Sequence, residues 1–296
     1  MKIGVCLPYM KDGMSREDFH RWFRAIDAGP FHSLSCGERI IGSSFDMRIL
    51  LAAAATLTER VELNATLYVL PMHNAVRAAK EIASLDVMSG GRMSVTVGYG
   101  GREQDYRAVG AEYAGRHARM DKQVRAMRET WKQQPPFDGV DPVGPRPVQS
   151  GGPRILTGAM GPRGMARSAH WADGVYAWSG NGEHHEIANT LRMAESAWQE
   201  AGRAELPYKM GGFWYCLTED AQQKLYDYCY NYLLIAGEDI AKWMAESVRR
   251  SNPDAVKQAL DNLEAAGCEE AMLSPVTGDI AEVEQLANIV EARGTG

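Results

Sequence analysis

One pattern constrains this chain more than any other. A short apolar or β-branched run is followed by a stretch with helical spacing, and the pair recurs eight times between the first residues and the last. Strand-like runs fall at residues 3–7, 31–36, 61–70, 92–97, 154–157, 175–178, 208–216 and 270–273. After the first run, Ser15 and Asp18 have the spacing of a capping box. Phe19, Trp22, Phe23 and Ile26 then follow at i, i+3, i+4 and i+7, and Gly29 stops the helix. Further helices are expected over 49–58, 75–88, 162–171 and 185–201, from about residues 103 and 120, along a long region after the seventh strand, and at the end. Strands separated by helices pair in parallel, because a crossover helix returns the chain to the same end of the sheet. Eight such units in 296 residues predict a (β/α)8 TIM barrel, one domain over residues 1–296 with loop insertions.

An open doubly wound sheet is the alternative, but it needs Gly-rich dinucleotide signals that this chain lacks. Gly98-Tyr99-Gly100-Gly101 has Glu103 where a G-x-G-x-x-G fingerprint needs glycine, and no G-x-x-x-x-G-K-[ST] occurs. Residues 134–153, with five prolines between Pro135 and Pro147, read as a surface excursion, since strands resume after them.

Composition narrows the function classes. A net charge of −6 with no run of lysines and arginines argues against nucleic-acid binding, which needs a basic stripe. No apolar run reaches the roughly 18 residues of a membrane span, and Met1 leads straight into a strand with no basic leader. The five cysteines (6, 36, 216, 229 and 268) have no metal-ligand spacing and read as reduced thiols, so a cytoplasmic location is expected.

Candidate chemistry gathers after the strands. The turn Thr157-Gly158-Ala159-Met160-Gly161-Pro162-Arg163-Gly164 separates a strand from a helix, with Gly161 at the cap and Pro162 at the first helical position. Free amides there suit a phosphate, although a plain βα turn reads the same way. Gly98 and its neighbours suit a strand end that lets a flat ring near the backbone, or an ordinary turn. Tyr9, Tyr99 and Trp178 end strands one, four and six, where they can wall a planar cofactor or simply pack the barrel mouth. Glu38 and His73 lie just past strands two and three, on the face where barrel enzymes place their chemistry; a salt bridge from Glu38 to Arg39 or a neighbour is the plain alternative. His184-His185 reads as a solvated helix start, so no metal site is expected. No G-x-S-x-G elbow is present.

Several stretches together resemble the luciferase-like flavin oxidoreductases. These are Ala52-Ala53-Ala54-Ala55-Thr56-Leu57-Thr58-Glu59-Arg60-Val61-Glu62-Leu63, Val69-Leu70-Pro71-Met72-His73-Asn74-Ala75-Val76, Leu85-Asp86-Val87-Met88-Ser89-Gly90-Gly91-Arg92, and the stretch from Gly98 to Tyr106 with Gly110. Gly161-Pro162 and Ala172-Asp173-Gly174 look like the family's phosphate turn and the approach to its next strand. The resemblance covers residues 1 to about 180. It implies FMN or coenzyme F420 at the barrel mouth, a cis peptide at Thr66-Leu67, and the cofactor phosphate on Ala159-Met160-Gly161.

The resemblance has departures. Where luciferases proper carry adjacent histidines after strand two, this chain has Cys36-Gly37-Glu38, which argues against light-emitting aldehyde oxidation. Where many FMN users carry arginine after strand four, it has Tyr99; where F420-dependent sugar-phosphate dehydrogenases carry lysine after strand six, it has Asn181. The expected function is therefore a monooxygenase that uses reduced FMN from a separate flavin reductase on a small organic substrate. F420-dependent hydride transfer is the rival, and a cofactor-free binding barrel is the reading from another class. Glu38 and His73 are the catalytic candidates. Thr66, Leu67, Gly98, Tyr99, Gly158, Ala159, Met160, Gly161 and Trp178 are the cofactor-binding candidates. The resemblance also implies a homodimer, with the Ala-rich second helix allowing close helix approach.

Overall fold

The strands pair in chain order and the last returns to the first, closing the barrel. They are β1 (Lys2–Cys6), β2 (Ser33–Cys36), β3 (Glu62–Tyr68), β4 (Met93–Val97), β5 (Arg154–Thr157), β6 (Gly174–Trp178), β7 (Tyr208–Tyr215) and β8 (Glu270–Pro275). The helices are α1 (Arg16–Ala28), α2 (Met47–Leu57), α3 (Ala75–Met88), α4 (Glu103–Ala108), α5 (Arg116–Trp131), α6 (Pro162–Ser168), α7 (His184–Glu200), α8 (Ala221–Leu233), α9 (Glu238–Ser247), α10 (Pro253–Ala265) and α11 (Ala281–Gly294). This computed structural model describes residues 1–294. Every strand pair is parallel, as the crossover argument requires.

Alternation along the strands builds two cores. One set of positions, including Val5, Leu34, Leu63, Val95, Ile155, Val175, Phe213 and Leu273, packs outward against the helices in the main apolar cluster. The opposite set fills the barrel interior, and it is divided. Ser33, Ser35, Asn64, Ser94 and Thr96 put small polar side chains on β2 to β4. Leu156, Tyr176, Met210 and Met272 put bulk on β5 to β8. Packing a barrel interior requires this complementarity of large and small.

Local chemistry explains where elements begin and end. Ser15 and Asp18 form both halves of the capping box on α1, whose buried face is Phe19, Trp22, Phe23 and Ile26. β2 starts at Ser33, two residues later than the apolar run, because Phe31 enters the core before strand pairing begins. β3 ends at Tyr68; Leu70–Met72 turn as a short 3-10 helix with Pro71 near its start, where the missing N–H is not needed. α6 stops at Ser168, after which residues 169–171 continue only as a turn. The proline-rich excursion before β5 is held by Asp86, fully buried on α3, which accepts the amides of Val148 at 2.8 Å and Gln149 at 3.1 Å. Among the described residues no helix is long and apolar enough to cross a membrane.

Candidate active site

The C-terminal ends of the strands open on a cavity of about 630 Å3. Volumes of roughly 300–1,000 Å3 are ligand-sized. Glu38 from the β2 exit, Thr66 and Leu67 from β3, Gly158 and Met160 from the β5 exit and Trp178 from β6 all line it. His73, Gly98, Tyr99, Ala159 and Gly161 lie behind or beside this wall.

The Thr66-Leu67 peptide is cis, at the position the resemblance implied. Pairing with β4 shifts register here, Thr66 opposing Thr96 and Tyr68 opposing Val97. Leu67 then lies in a slot between two strand ends. A β-carbon on Gly98 would fall 2.9 Å from its Cδ1, and one on Gly158 2.7 Å from its Cδ2. These glycines therefore make room for Leu67.

Glu38 and His73 meet each other. Glu38 Oε1 lies 2.8 Å from His73 Nε2, and the Val69 amide donates to Glu38 Oε2 at 2.8 Å. The partner of Glu38 is thus His73 and not Arg39, which bonds the Ile41 carbonyl instead. The Glu38 side chain is 4% exposed and that of His73 14%; Glu38 lines the cavity and His73 does not.

The β5 turn is partly committed. The Ala159 amide donates to Thr157 Oγ1 at 3.2 Å, whereas no acceptor among the described residues takes the Met160 or Gly161 amides. Tyr99 stands beside this turn rather than in the cavity wall, its ring 4.2 Å from that of His117. The His117 pKa is lowered, first by burial and then by Arg116 and Arg167, while Asp121, which pairs Arg167 at 2.9 Å, opposes this; what the turn itself offers is the two open amides. That arrangement suits a phosphate group.

Sequence reading missed the far wall. Trp214 on β7 meets Trp178 edge-on at 5.0 Å between centroids, and Tyr228 and Tyr232 on α8 pack on Trp214 at 6.0 and 5.3 Å. The signal was available: Tyr226, Tyr228, Tyr230 and Tyr232 interleave two i, i+4 pairs on α8, and each pair stacks. Burial raises the hydroxyl pKa of Tyr9, Tyr176 and Tyr228 well above the ordinary value, with neighbouring hydroxyls and thiols adding to it, so all three remain O–H donors. Asn181 ties loops together, its side chain bonding the Ser247 carbonyl and the Arg249 amide. His184 and His185 are exposed, and among the described residues no group of three His, Cys, Asp or Glu side chains could hold a metal ion. All five cysteines are buried and free.

The luciferase-like monooxygenase family model matches residues 1–293. The chain belongs to that family. Among curated relatives of this luciferase-like chain, an uncharacterized protein of Mycobacterium tuberculosis is 34% identical over 176 residues, 55% of this chain and 60% of that one. The match thus spans less than two thirds of that relative. Pyrimidine monooxygenase RutA of Escherichia coli is 24% identical over 261 residues, 83% of this chain and 67% of RutA. Two solved structures share the barrel. Monooxygenase RslO1 from Streptomyces bottropensis superposes with TM-score 0.79 at 22% identity over 100% of both chains. An F420-dependent secondary alcohol dehydrogenase, in complex with an F420-acetone adduct, gives TM-score 0.77 at 17% identity over 98% of both.

Proposed function

We propose that this family member is a monooxygenase that takes reduced FMN from a separate flavin reductase and oxygenates a small organic substrate. One observation carries the reading: a ligand-sized cavity begins beside the unpartnered Met160 and Gly161 amides and ends at an aromatic wall. In this reading the amides of Met160 and Gly161 hold the phosphate. Thr66 and Leu67 form the bed for the ring, Gly98 and Gly158 position Leu67, Tyr99 and Ala159 shape the turn, and Trp178 closes the side. Reduced flavin, when bound, supplies the electrons that activate oxygen. The protein binds, orients and excludes bulk water, with Glu38 on the wall and His73 hydrogen-bonded behind it as the catalytic candidates. A separate reductase is included because the chain carries no dinucleotide fingerprint of its own.

F420-dependent hydride transfer is the second reading. It is favoured by Tyr99, which stands where many FMN users carry arginine. Anaerobic titration with reduced FMN and with reduced F420, followed by admission of oxygen, separates the two. Saturable FMN binding with oxygen-dependent turnover supports the monooxygenase. F420 binding with no response to oxygen supports hydride transfer, and affinity for neither leaves the cofactor-free binding barrel. A homodimer through the outer face of α2 is also proposed. Ala54 and Ala55 are used inside the subunit, but Ile49 is 70% exposed on that helix. Sedimentation showing only a 32.6 kDa species would remove the dimer.

A further inference from the structure

Three cations line the aromatic side of the cavity, and none has a carboxylate partner among the described residues: Lys11, Arg39 and Arg102. Two lie over tyrosine faces, Lys11 Nζ 4.9 Å from the Tyr228 centroid and Arg102 Cζ 5.0 Å from that of Tyr232. Arg39 uses its Nε on the Ile41 carbonyl, and Arg102 uses one NH2 on the Tyr232 carbonyl. Burial lowers the Arg102 pKa and Arg39 lowers it further, against smaller opposing contributions from Tyr232 and Asp105.

The carboxylates on the same wall are already engaged. Glu38 takes the Val69 amide and His73, Asp105 takes the Ile41 amide at 3.0 Å, and Glu186 takes the Ser179 hydroxyl at 2.5 Å. One fully buried hydroxyl at the wall, that of Ser35, also has no hydrogen-bond partner among the described residues. Two half-buried guanidinium groups lining one cavity without an ion-pair partner favour a bound anion. Guanidinium groups recognise a carboxylate by paired N–H···O bonds, while the aromatic wall favours a flat apolar body.

We propose that the substrate is an aromatic carboxylate, its ring packed on Trp178, Trp214 and Tyr232 and its carboxylate set between Arg39 and Arg102. This rests on the reading of the cavity as the substrate site and not on which cofactor serves it. A neutral substrate would leave both half-buried guanidinium groups without an ion-pair partner; a carboxylate supplies one.

The test uses the full chain without cofactor and follows quenching of tryptophan fluorescence by 2-naphthoate and by its neutral counterpart, 2-naphthamide. We expect 2-naphthoate to bind at least tenfold more tightly. Arg39→Gln and Arg102→Gln should each shrink that preference below threefold while leaving 2-naphthamide affinity unchanged, and Arg102→Lys should retain part of it. Circular dichroism reports the fold; should Arg102→Gln fail to fold, Arg39→Gln carries the test. Equal affinity of the two probes, no binding of either, or a preference that survives in both glutamine variants would overturn the proposal. Failure of reduced FMN to bind, with the 2-naphthoate preference intact, would instead defeat the proposed cofactor and leave this inference standing.

Discussion

A β-carbon on Gly158 would stand 2.7 Å from Cδ2 of Leu67, closer than carbon atoms approach without displacement. The two residues come from β3 and the exit of β5, so their contact couples two non-neighbouring strands at the floor of the cavity. Gly158→Ala is expected to destabilise the protein by about 1–2 kcal/mol, the cost of modest overpacking. Leu67→Ala should relieve it, so the double variant is less destabilised than the two single effects added together. Urea unfolding of all four proteins checks this, and additive effects would mean that Leu67 does not fill the slot.

Gly161 behaves differently, since a β-carbon there meets nothing within 4 Å and its φ is −126°, which any residue adopts. Gly161→Ala should leave both fold and cofactor affinity unchanged. Gly161→Asp, with its carboxylate beside the open amides, should weaken binding of reduced FMN at least tenfold, or about 1.4 kcal/mol. Anaerobic titration of the two variants distinguishes charge from bulk, and equal affinity in both would move the phosphate elsewhere.

Glu38 accepts the Val69 amide as well as facing His73. Glu38→Ala should therefore cost about 2–3 kcal/mol, because a buried amide and a half-buried imidazole both lose a charged acceptor. His73→Gln leaves the Val69 bond intact and should cost under about 1 kcal/mol of stability while lowering turnover at least tenfold, if the pair handles a proton. Thermal unfolding and single-turnover rates, measured on the same preparations, test the split. Normal turnover in His73→Gln would return the pair to a purely structural role.

Asp27 tests the barrel's opposite end. Burial pushes its carboxyl pKa up, but the amides of Glu59, Val61 and Arg60 and the nearby Arg60 charge outweigh this and hold it below the ordinary value. A carboxyl with a lower pKa in the folded chain than in the unfolded one stabilises the fold above its unfolded value, near about 4. That contribution is lost as pH falls through the lowered folded value. The wild type should thus lose stability between about pH 4 and pH 3 more steeply than Asp27→Asn, with the variant weaker by about 1–2 kcal/mol at pH 7. Urea midpoints across that range decide it, and parallel curves would contradict the assignment.

The alternation of strand and helix signals already determined the barrel, because parallel strands with crossover helices have few ways to bury both faces of a sheet. The capping box at Ser15, the stripe from Phe19 to Ile26 and the turn before Pro162 were legible for the same reason: each is a local pattern with a local physical cause. Thr66-Leu67 came from resemblance, as nothing in its local chemistry sets that geometry apart.

Contacts between distant strand exits were decided by the tertiary structure alone. No spacing pairs Glu38 with His73 over 35 residues, and none puts Leu67 between Gly98 and Gly158. The aromatic and cationic wall spans residues from Lys11 to Tyr232. A helix or a turn is specified by neighbours along the chain, but a site at a barrel's mouth gathers one or two residues from each exit. Which of them meet depends on strand register and barrel closure, and those are set only when all eight strands have paired.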